Sequence, residues 1–403
     1  MKKVELLAPA KDLSKAKIAI DYGADAVYVG GQNFSLRSRA SNFTYEDLRE
    51  IVEYAHQRKK KVYVTVNMVF HDEDLCGFRE YIRYLESIET DALIISSLAL
   101  MQLVKKIAPK LECHISTQLS TMSSAAVKAL KSLGADRVVL GRECSMEEIE
   151  DTARNVDTEL EVFIHGGMCS NYSGRCVLSN RMTLRDANRG GCAHSCRWKY
   201  RLYDNGKPVF DDNCLLSFSS KDLRASAYLE RMIKCGIASL KIEGRMKSEY
   251  YIAQVVKTYR RMIDEIYEKG ELDATRLAYY DNELSKAENR LADDGLLSGN
   301  CGRSKHLYGV NGAGVTHDYV AYVLDYDKSR NLAKVVVKNR FMVNDELEVF
   351  GPAVDNETFI NKLMFDEDMV PVDLANKPTQ ILYLRLPIEV HAKDMIRKAH
   401  HDN

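Results

Sequence analysis

The sequence predicts a (β/α)8 barrel of the TIM type, followed by a small antiparallel β-barrel domain. Eight short β-branched segments recur between residues 4 and 245, and amphipathic segments containing Ala and Leu separate most of them. This alternation is typical of parallel βα units, and eight parallel strands close a barrel. After residue 305 the pattern changes to short strands broken by Asn, Asp and Gly. We therefore predict a barrel domain over residues 1–300 and a second domain over residues 305–390.

The predicted barrel strands are short and rich in β-branched and other apolar residues. In chain order they are Val4–Leu7, Ala26–Gly30, Val62–Asn67, Ala92–Ser96, Cys113–Thr117, Arg137–Leu140, Glu161–His165 and Ser239–Ile242. Helix signals lie between them, since Ser14 precedes a predicted helix over residues 15–22 and Thr44 precedes another over residues 45–57. The order of strand, helix and strand is that of a parallel barrel.

The connection between the seventh and eighth strands is much longer than the others. It runs from Gly166 to Ala238, whereas an ordinary βα loop has a few residues. It starts at the carboxyl end of a strand, which is the face where barrel enzymes place their chemistry. We therefore predict that this Cys-rich insertion, residues 166–238, forms part of an active site.

The segment after the eighth strand begins with one long helix. Residues Glu249–Lys269 carry apolar side chains at helical spacing, which we assign to the core. The predicted strands of the second domain are Val310–Val315, Tyr319–Tyr326, Leu332–Val337, Glu346–Phe350, Phe359–Phe365, Val370–Val372 and Ile381–Leu384.

Composition and charge are those of an ordinary soluble protein. Of the 403 residues, 45% are hydrophobic and 29% charged, and the formal net charge of -1 gives no general attraction to nucleic acid or membrane. The N-terminus has no signal-like apolar segment, and no run approaches the roughly 18 apolar residues of a membrane span. We expect a cytoplasmic protein without a membrane partner, so that a polyanion would need a local basic patch.

Four cysteines of the insertion form a dense group. Cys169, Cys176, Cys192 and Cys196 have the spacing C-x6-C-x15-C-x3-C. Thiolates repel one another, so such a group in a reducing compartment indicates a metal or a cluster that neutralises it. Spacing alone leaves open a structural zinc site, an iron–sulfur cluster and no metal at all.

The same insertion is basic. Residues 174–201 contain seven Arg or Lys and one acid, Asp186, which gives a net charge of +6 (seven minus one). Aromatic residues including Trp198 are interleaved with these cations. This composition suits phosphate binding and base stacking, although a solvated loop paired with neighbouring carboxylates has the same composition.

Polar residues at strand ends are candidates for the barrel mouth. They include Asn67, Gln118, Arg142, His165, Glu243 and Arg245. Glu243 and Arg245 flank a glycine and would bind a polar substrate or position a proton, unless they only close the barrel as an ion pair. His165 is a candidate acid or base, and a satisfied structural histidine is the alternative.

Several motifs together resemble one known family. The run Glu161, Phe163, Gly166, Met168-Cys169, Gly174, Cys176 and Leu178-Ser179 is similar to the signature of the collagenase-like peptidase family of unassigned catalytic type, with Gly167 where that pattern usually has Ser or Ala. Further similarity lies at Leu6–Ala10, Gly23–Tyr28, Ser220–Leu223, Ser239–Ser248, Lys338–Phe341 and Asp345–Leu347. The segment Cys192–Tyr200 resembles the branch of the family that hydroxylates the wobble uridine of tRNA.

This resemblance implies more than the residues alone do. It implies a tRNA uridine 5-hydroxylase that holds a [4Fe–4S] cluster on Cys169, Cys176, Cys192 and Cys196 and needs prephenate. Cys214 and Cys235 are reserve candidates for the fourth ligand. It also implies the anticodon loop as partner, with a paralogous family member or iron–sulfur delivery proteins as further partners. For RNA we assign the binding residues Arg175, Arg197, Trp198 and Lys199 on the insertion and Asn67, Gln118 and Arg142 at the mouth.

Two other functions stay open at this point. The family's name suggests a collagenase-like peptidase, but no Ser-His-Asp order, His-Glu-x-x-His helix or single favoured cysteine is evident in the sequence. The other possibility is an RNA-binding protein without catalysis, in which zinc or a cluster only stabilises the insertion.

Overall fold

The protein contains a closed parallel barrel in its computed structural model, which describes residues 3–36, 42–211, 215–287, 290–299, 302–307 and 315–399. The barrel strands are β1 (Glu5–Pro9), β2 (Ala26–Gly30), β3 (Lys61–Val66), β4 (Ala92–Ile95), β5 (Glu112–Ile115), β6 (Arg137–Val139), β7 (Glu159–Gly166) and β8 (Ser239–Ile242). Each strand pairs in parallel with the next, and β8 pairs with both β7 and β1. The predicted barrel fold is therefore confirmed.

Helices alternate with these strands and extend past β8. They are α1 (Leu13–Asp21), α2 (Tyr45–His56), α3 (Phe78–Ser87), α4 (Leu98–Ile107), α5 (Ser124–Ser132), α6 (Met146–Arg154), α7 (Leu178–Thr183), α8 (Leu229–Lys234), α9 (Glu249–Lys269) and α10 (Ala274–Ser285). Thr44 begins α2 with a capping box to Asp47, as its sequence position suggests. None of the helices in the described ranges has the length and apolar character needed to cross a bilayer.

Charged side chains fill part of the barrel interior. The Arg137 guanidinium of β6 contacts carboxylates from two other strands, at 2.7 Å from Glu5 on β1 and 3.3 Å from Glu161 on β7. Since β1 and β6 are not neighbours, this contact crosses the inside of the barrel. Glu161 is fully buried and also binds the Lys241 ammonium of β8 at 2.7 Å. The interior is thus a paired polar core rather than a wholly aliphatic one.

The connection from β7 to β8 contains an excursion that we call the arm, residues 167–221. It holds α7, two short 3-10 helices at Ala187–Arg189 and Ser195–Arg197, and a hairpin of Tyr203–Asp204 with Lys207–Pro208. After the arm, Asp222–Arg224 pairs antiparallel with the end of β7. Helix α8 then leads into β8 as an ordinary barrel helix, so the arm lies at the carboxyl end of the barrel strands.

The C-terminal region forms an antiparallel half-barrel. Its described strands are β9 (His317–Asp327), β10 (Leu332–Val337), β11 (Glu346–Phe350), β12 (Glu357–Ile360), β13 (Met364–Phe365), β14 (Pro371–Val372), β15 (Ile381–Arg385) and β16 (Met395–Ala399), paired in the order β12-β11-β16-β9-β10-β15-β13-β14. A separate short ladder joins Phe341–Met342 to Leu374–Ala375. The sequence did not predict β16, and the predicted strand Val310–Val315 lies, except for Val315, outside the described residues.

A buried ion network joins this sheet to the barrel helices. Arg397 of β16 is fully buried, and its guanidinium lies 2.8 Å from the Gln254 side-chain oxygen on α9 and 3.0 Å from Glu283 on α10. Lys257 of α9 donates to the Val354 carbonyl at 2.8 Å. These contacts attach the second domain to α9 and α10.

Candidate active site

Four cysteines with free thiols lie near the carboxyl end of β7. Cys169 follows β7 by three residues, Cys176 precedes α7, and Cys192 and Cys196 lie in the turns after it. Part of Cys169 is exposed to solvent, but its thiol is buried, and this burial raises the pKa of the thiol. The charge of Arg142 lowers the pKa of the Cys169 thiol, and the charges of the other three cysteines raise it. The Cys169 sulfur is therefore near enough to the other three to interact with each electrostatically, although the four cysteines are spread over 28 residues.

The donor set suits a thiolate-bound group. No three Cys, His, Asp or Glu side chains of the described part of the chain have the compact spacing of a ligand shell around one ion. Four soft sulfur donors, of which Cys169 interacts with the other three and with Arg142, fit iron–sulfur ligation, in which the ligands surround a cluster rather than a single ion. Cys235 ends α8 at the opposite end of the barrel, where its thiol contacts the Met232 carbonyl. Cys214 lies outside the described residues.

Hydrogen bonds attach the first part of the arm to neighbouring loops. The Ser173 amide and hydroxyl both donate to one oxygen of Glu143, at 2.7 and 3.1 Å. Gly174 has φ +72° and packs against the Gln118 carbonyl, which a Cβ at this position would approach to 2.1 Å. Only glycine tolerates both this backbone and this approach. The segment between Cys169 and Cys176 is thereby fixed over the end of β5.

A second anchor holds the middle of the arm against the loop after β3. Arg189 binds the Asp74 carboxylate at 3.0 Å and the Val69 carbonyl at 3.0 Å. The Asn188 carbonyl accepts from the Val69 amide, and the Asn188 side chain donates to the Cys176 carbonyl at 3.0 Å. One of the seven predicted basic residues therefore has a structural role, and it connects the arm's cysteine segment to the barrel rim.

The mouth of the barrel contains the candidate Glu243 beside Arg142. The Glu243 carboxylate lies 3.5 Å from the Arg142 guanidinium and 3.4 Å from the Tyr28 hydroxyl. The Arg142 guanidinium lies 3.7 Å from the centre of the Phe163 ring, within cation–π range. Because the charge of Arg142 also acts on the Cys169 thiol, this group lies near the cysteines.

Three other predicted mouth residues brace loops. The Arg245 guanidinium is buried and donates to Ser35 and to Asn42, both at 3.0 Å. Asn67 accepts from the Leu36 amide at 3.2 Å, and the Gln118 side-chain oxygen accepts from Ser116 at 2.8 Å. The Glu243 carboxylate contacts Arg142 and Tyr28, whereas the Arg245 guanidinium contacts Ser35 and Asn42 and thereby secures the loop after β2.

His165 does not enter the mouth. Its Nδ1 lies 3.2 Å from the Tyr259 hydroxyl, and its ring packs against Tyr251 and Tyr259 of α9 on the outer face of the barrel. The cause is an irregularity in the pairing of β7 with β8. Lys241 pairs with Phe163, but the next residue of β8, Ile242, pairs with His165, so that one residue of β7 is skipped. Burial, with Arg224 and Lys247 nearby, lowers the pKa of His165 to about 3, so the ring is neutral. This geometry agrees with the structural alternative.

The outer surface of the arm is basic and apolar. Arg175 and Lys199 are exposed, and the Arg197 guanidinium lies near Gly167, just after β7. Trp198 is 41% exposed, and its ring centre lies 6.5 Å from the ring centre of Tyr200. The ring centre of Tyr200 in turn lies 5.7 Å from that of Phe218. Exposed cations beside exposed rings form a surface that can bind phosphates and stack bases.

Two residues of the site were not identified from the sequence. Phe163 is part of the family signature but was given no role in the site, and its position under Arg142 follows from strand alternation. Arg290, from a charged segment after α10, donates to Ser219 and to the Ser220 carbonyl at 2.6 Å each and thereby fixes the end of the arm. No local signal in the sequence indicates this long-range contact.

Comparison with known proteins agrees with the resemblance seen in the motifs. The family model described as peptidase family U32 matches residues 11–307, and the model of the U32 C-terminal domain matches residues 315–397. The chain is 42% identical over 402 residues to tRNA hydroxylation protein P1 of Bacillus subtilis (strain 168), covering 98% of this chain and 95% of that protein. It is 36% identical to tRNA hydroxylation protein P of Escherichia coli (strain K12), covering 87% of each chain.

A relative with a different name is similar over the same length. The chain is 32% identical over 400 residues to a protein named collagenase of Porphyromonas gingivalis (strain ATCC BAA-308 / W83), covering 96% of this chain and 94% of that one. The similarity to all three relatives thus spans the barrel, the arm and the C-terminal half-barrel. Together with the two family models, it shows that this chain belongs to peptidase family U32.

Proposed function

We propose that this protein is a tRNA hydroxylase that installs 5-hydroxyuridine at the wobble position. The observation that carries the proposal is the grouping of four thiols beside Arg142 and Glu243, under an arm with exposed cations and rings. Two relatives similar over nearly the whole chain are named tRNA hydroxylation proteins, which supports the same activity. A tRNA substrate would place the protein in the cytoplasm.

The arm and the mouth have separate tasks in this proposal. Arg175, Arg197 and Lys199 bind phosphates of the anticodon loop, and Trp198 provides a face on which an unpaired base stacks. A loop uridine turns out of its stack at modest cost and enters the mouth. There, Glu243 and Arg142 offer an acceptor and a donor for its polar edge.

The cysteines would hold a [4Fe–4S] cluster next to that uridine. Cys169, Cys176, Cys192 and Cys196 are the proposed ligands, and Zn²⁺ is the alternative occupant. When bound, the cluster supplies electron-transfer chemistry that the side chains of this chain lack. The arm's anchors at Glu143 and Asp74 keep the ligand segments in place against the barrel. Delivery of the cluster by iron–sulfur carrier proteins and association with a paralogue stay predictions.

Loss of the gene tests the proposed activity. In a deletion strain we expect nucleosides from total tRNA to lose 5-hydroxyuridine derivatives, because the proposed site is the one that receives and hydroxylates the loop uridine. Mass spectrometry of the nucleosides measures this, with the intact gene restored on a plasmid as control. Unchanged nucleosides in the deletion strain, together with hydrolysis of gelatin by the purified protein, would instead establish the peptidase alternative.

Three of the four described thiols outside the group of four do not favour a cysteine peptidase. Burial raises the pKa of Cys113 and of Cys144 to about 12 each, and burial also raises the pKa of Cys235. A peptidase nucleophile needs the opposite, a lowered thiol pKa next to a histidine. The His165 ring forms its hydrogen bond with the Tyr259 hydroxyl rather than with a cysteine.

Arg142 is the residue that we assign to prephenate. Prephenate carries two carboxylates, and Arg142 and Arg197 are cations beside the cysteines. The contact of Arg142 with Glu243 is long at 3.5 Å, so the guanidinium can turn to a substrate carboxylate and form a charge-assisted pair.

Substitution of Arg142 therefore has a defined consequence. In Arg142→Gln we expect the affinity for prephenate, measured by anaerobic calorimetry, to fall about tenfold or more, since one charge-assisted hydrogen bond is lost. Arg154→Gln, at an exposed position of α6, is the control and should bind as the unmodified protein does. Equal affinity in both variants would remove Arg142 from the prephenate site.

A further inference from the structure

Leu184 is held on the surface of the arm in an unusual way. Its side chain is 95% exposed, and it ends α7 in the left-handed backbone conformation with φ 55°. Single exposed leucines are ordinary, but a residue other than glycine pays a conformational cost in this region. The backbone conformation of Leu184 is therefore unfavourable, and burial of the side chain does not offset this cost. We take this as a sign that the exposed side chain has a function at this position.

The turn that carries Leu184 is rigid. The Asn180 side chain accepts from the Ala187 amide at 3.2 Å and so ties the middle of α7 to the residues after the turn. The Asp186 carbonyl accepts from the Gly191 amide at 2.6 Å, and its carboxylate accepts from the Asn188 amide at 2.8 Å. Hydrogen bonds thus hold the chain in place on both sides of Leu184.

The turn that carries Leu184 is also attached to the barrel rim. Asn188 and Arg189 bind the loop after β3 through Val69 and Asp74, as described above. Leu184 lies eight residues after Cys176 and eight before Cys192, and the Asn188 side chain from the same segment donates to the Cys176 carbonyl at 3.0 Å. A molecule that contacts Leu184 therefore binds the segment that carries two of the proposed cluster ligands.

The surroundings of Leu184 indicate what it would contact. Arg181 and Arg185 are exposed on either side of it, and Met182 and Val177 are 44% and 58% exposed. Val177 and Leu184 flank α7 at its two ends, Arg181 and Met182 lie in its last turn, and Arg185 follows Leu184 directly. An apolar group flanked by cations is complementary to a nucleic acid, whose phosphates lie on either side of an apolar stack of bases.

We propose that Leu184 is a wedge that enters the base stack of the bound RNA and fills the gap left by the uridine turned into the mouth. This inference rests on the proposed function and adds the residue that separates the bases. Apolar wedges of this kind stabilise an opened base step that would otherwise close again. Because hydrogen bonds already hold the turn, little ordering of this segment is needed on binding, which lowers the entropic cost.

A stacking-sensitive RNA tests the wedge directly. The probe is a synthetic anticodon stem-loop with 2-aminopurine next to the wobble uridine, whose fluorescence rises when the base unstacks. With the unmodified protein we expect a rise on binding. In Leu184→Ala we expect that rise to be lost and the affinity to fall about tenfold, from the apolar contact removed. Leu184→Met should retain both signals.

Two controls separate the wedge from charge and from general surface effects. Leu133→Ala changes another leucine at a helix C-terminus, 41% exposed on α5, and should behave as the unmodified protein. Arg181→Gln with Arg185→Gln should weaken binding but leave the fluorescence at saturation unchanged, because phosphate contacts are lost and the wedge is kept.

The outcomes distinguish this inference from the proposed function. If Leu184→Ala binds the stem-loop and still raises the fluorescence fully, the wedge is wrong and the proposed tRNA hydroxylase is unaffected. If the unmodified protein does not bind the stem-loop at all, the proposed function fails and the wedge fails with it.

Discussion

Replacing Cys169 by serine is expected to remove nearly all iron from the protein and to abolish tRNA hydroxylation. Cys169 is the thiol that the charges of Arg142, Cys176, Cys192 and Cys196 all reach, so it is central to the proposed ligand set. A serine hydroxyl is a poor ligand for iron in a sulfur-bound cluster, because it is hard and stays protonated at neutral pH. Anaerobic purification with iron, sulfide and visible-absorption analysis measures the first effect, and nucleoside mass spectrometry of a complemented deletion strain measures the second.

Cys76→Ser is the matched control for this experiment. Cys76 is exposed and lies outside the arm, so its substitution should leave iron content and hydroxylation unchanged. Thermal unfolding of Cys169→Ser should match that of the unmodified protein stripped of iron, which excludes a general folding defect. The cluster assignment is contradicted if Cys169→Ser retains its iron and its colour, or if the unmodified protein binds zinc in place of iron.

The barrel could be predicted from local patterns, whereas the direction of one side chain could not. All eight predicted strands overlap observed ones, because β-branched runs and helix caps are local signals. His165 was placed at the mouth by assuming regular alternation along β7. The irregular pairing at the end of that strand turns the ring toward α9, and the sequence of β7 alone carries no sign of it.

Long-range ion pairs explain the other differences. The segment Met395–Ala399 was not predicted as a strand, and Arg397 and Lys398 interrupt its apolar pattern. In the structure the Arg397 guanidinium is buried, because Glu283 and Glu348 from distant segments surround it, and the segment is a strand between β9 and β11. The four cysteines were identified because their clustering is visible in the sequence, but the Arg142–Glu243 contact joins residues about a hundred positions apart.

Arg137→Met is expected to destabilise the folded protein by about 3–5 kcal/mol, the usual cost of removing one partner from a buried ion pair. Arg137 is 3% exposed and binds Glu5, Glu159 and Glu161. Without the guanidinium, the fully buried Glu161 carboxylate keeps Lys241 as its only close cation among the described residues. Methionine fills a similar volume, so the effect reports charge and not a cavity. Urea unfolding at neutral pH measures it.

The pH dependence of that loss identifies Glu161 as the cause. Burial acts to raise the pKa of Glu161, but Lys241 and Arg137 hold it below the ordinary value. A lowered folded-state pKa gives stability that is present above the unfolded value of about 4.3 and is lost as the pH falls through the folded value. The difference between Arg137→Met and the unmodified protein should therefore be largest at neutral pH and shrink in acid, where a protonated Glu161 needs no cation. Arg154→Met, which removes an exposed pair with Asp151, should show no measurable loss at any pH, and a comparable loss in both variants would show that the interior network is not what stabilises the barrel.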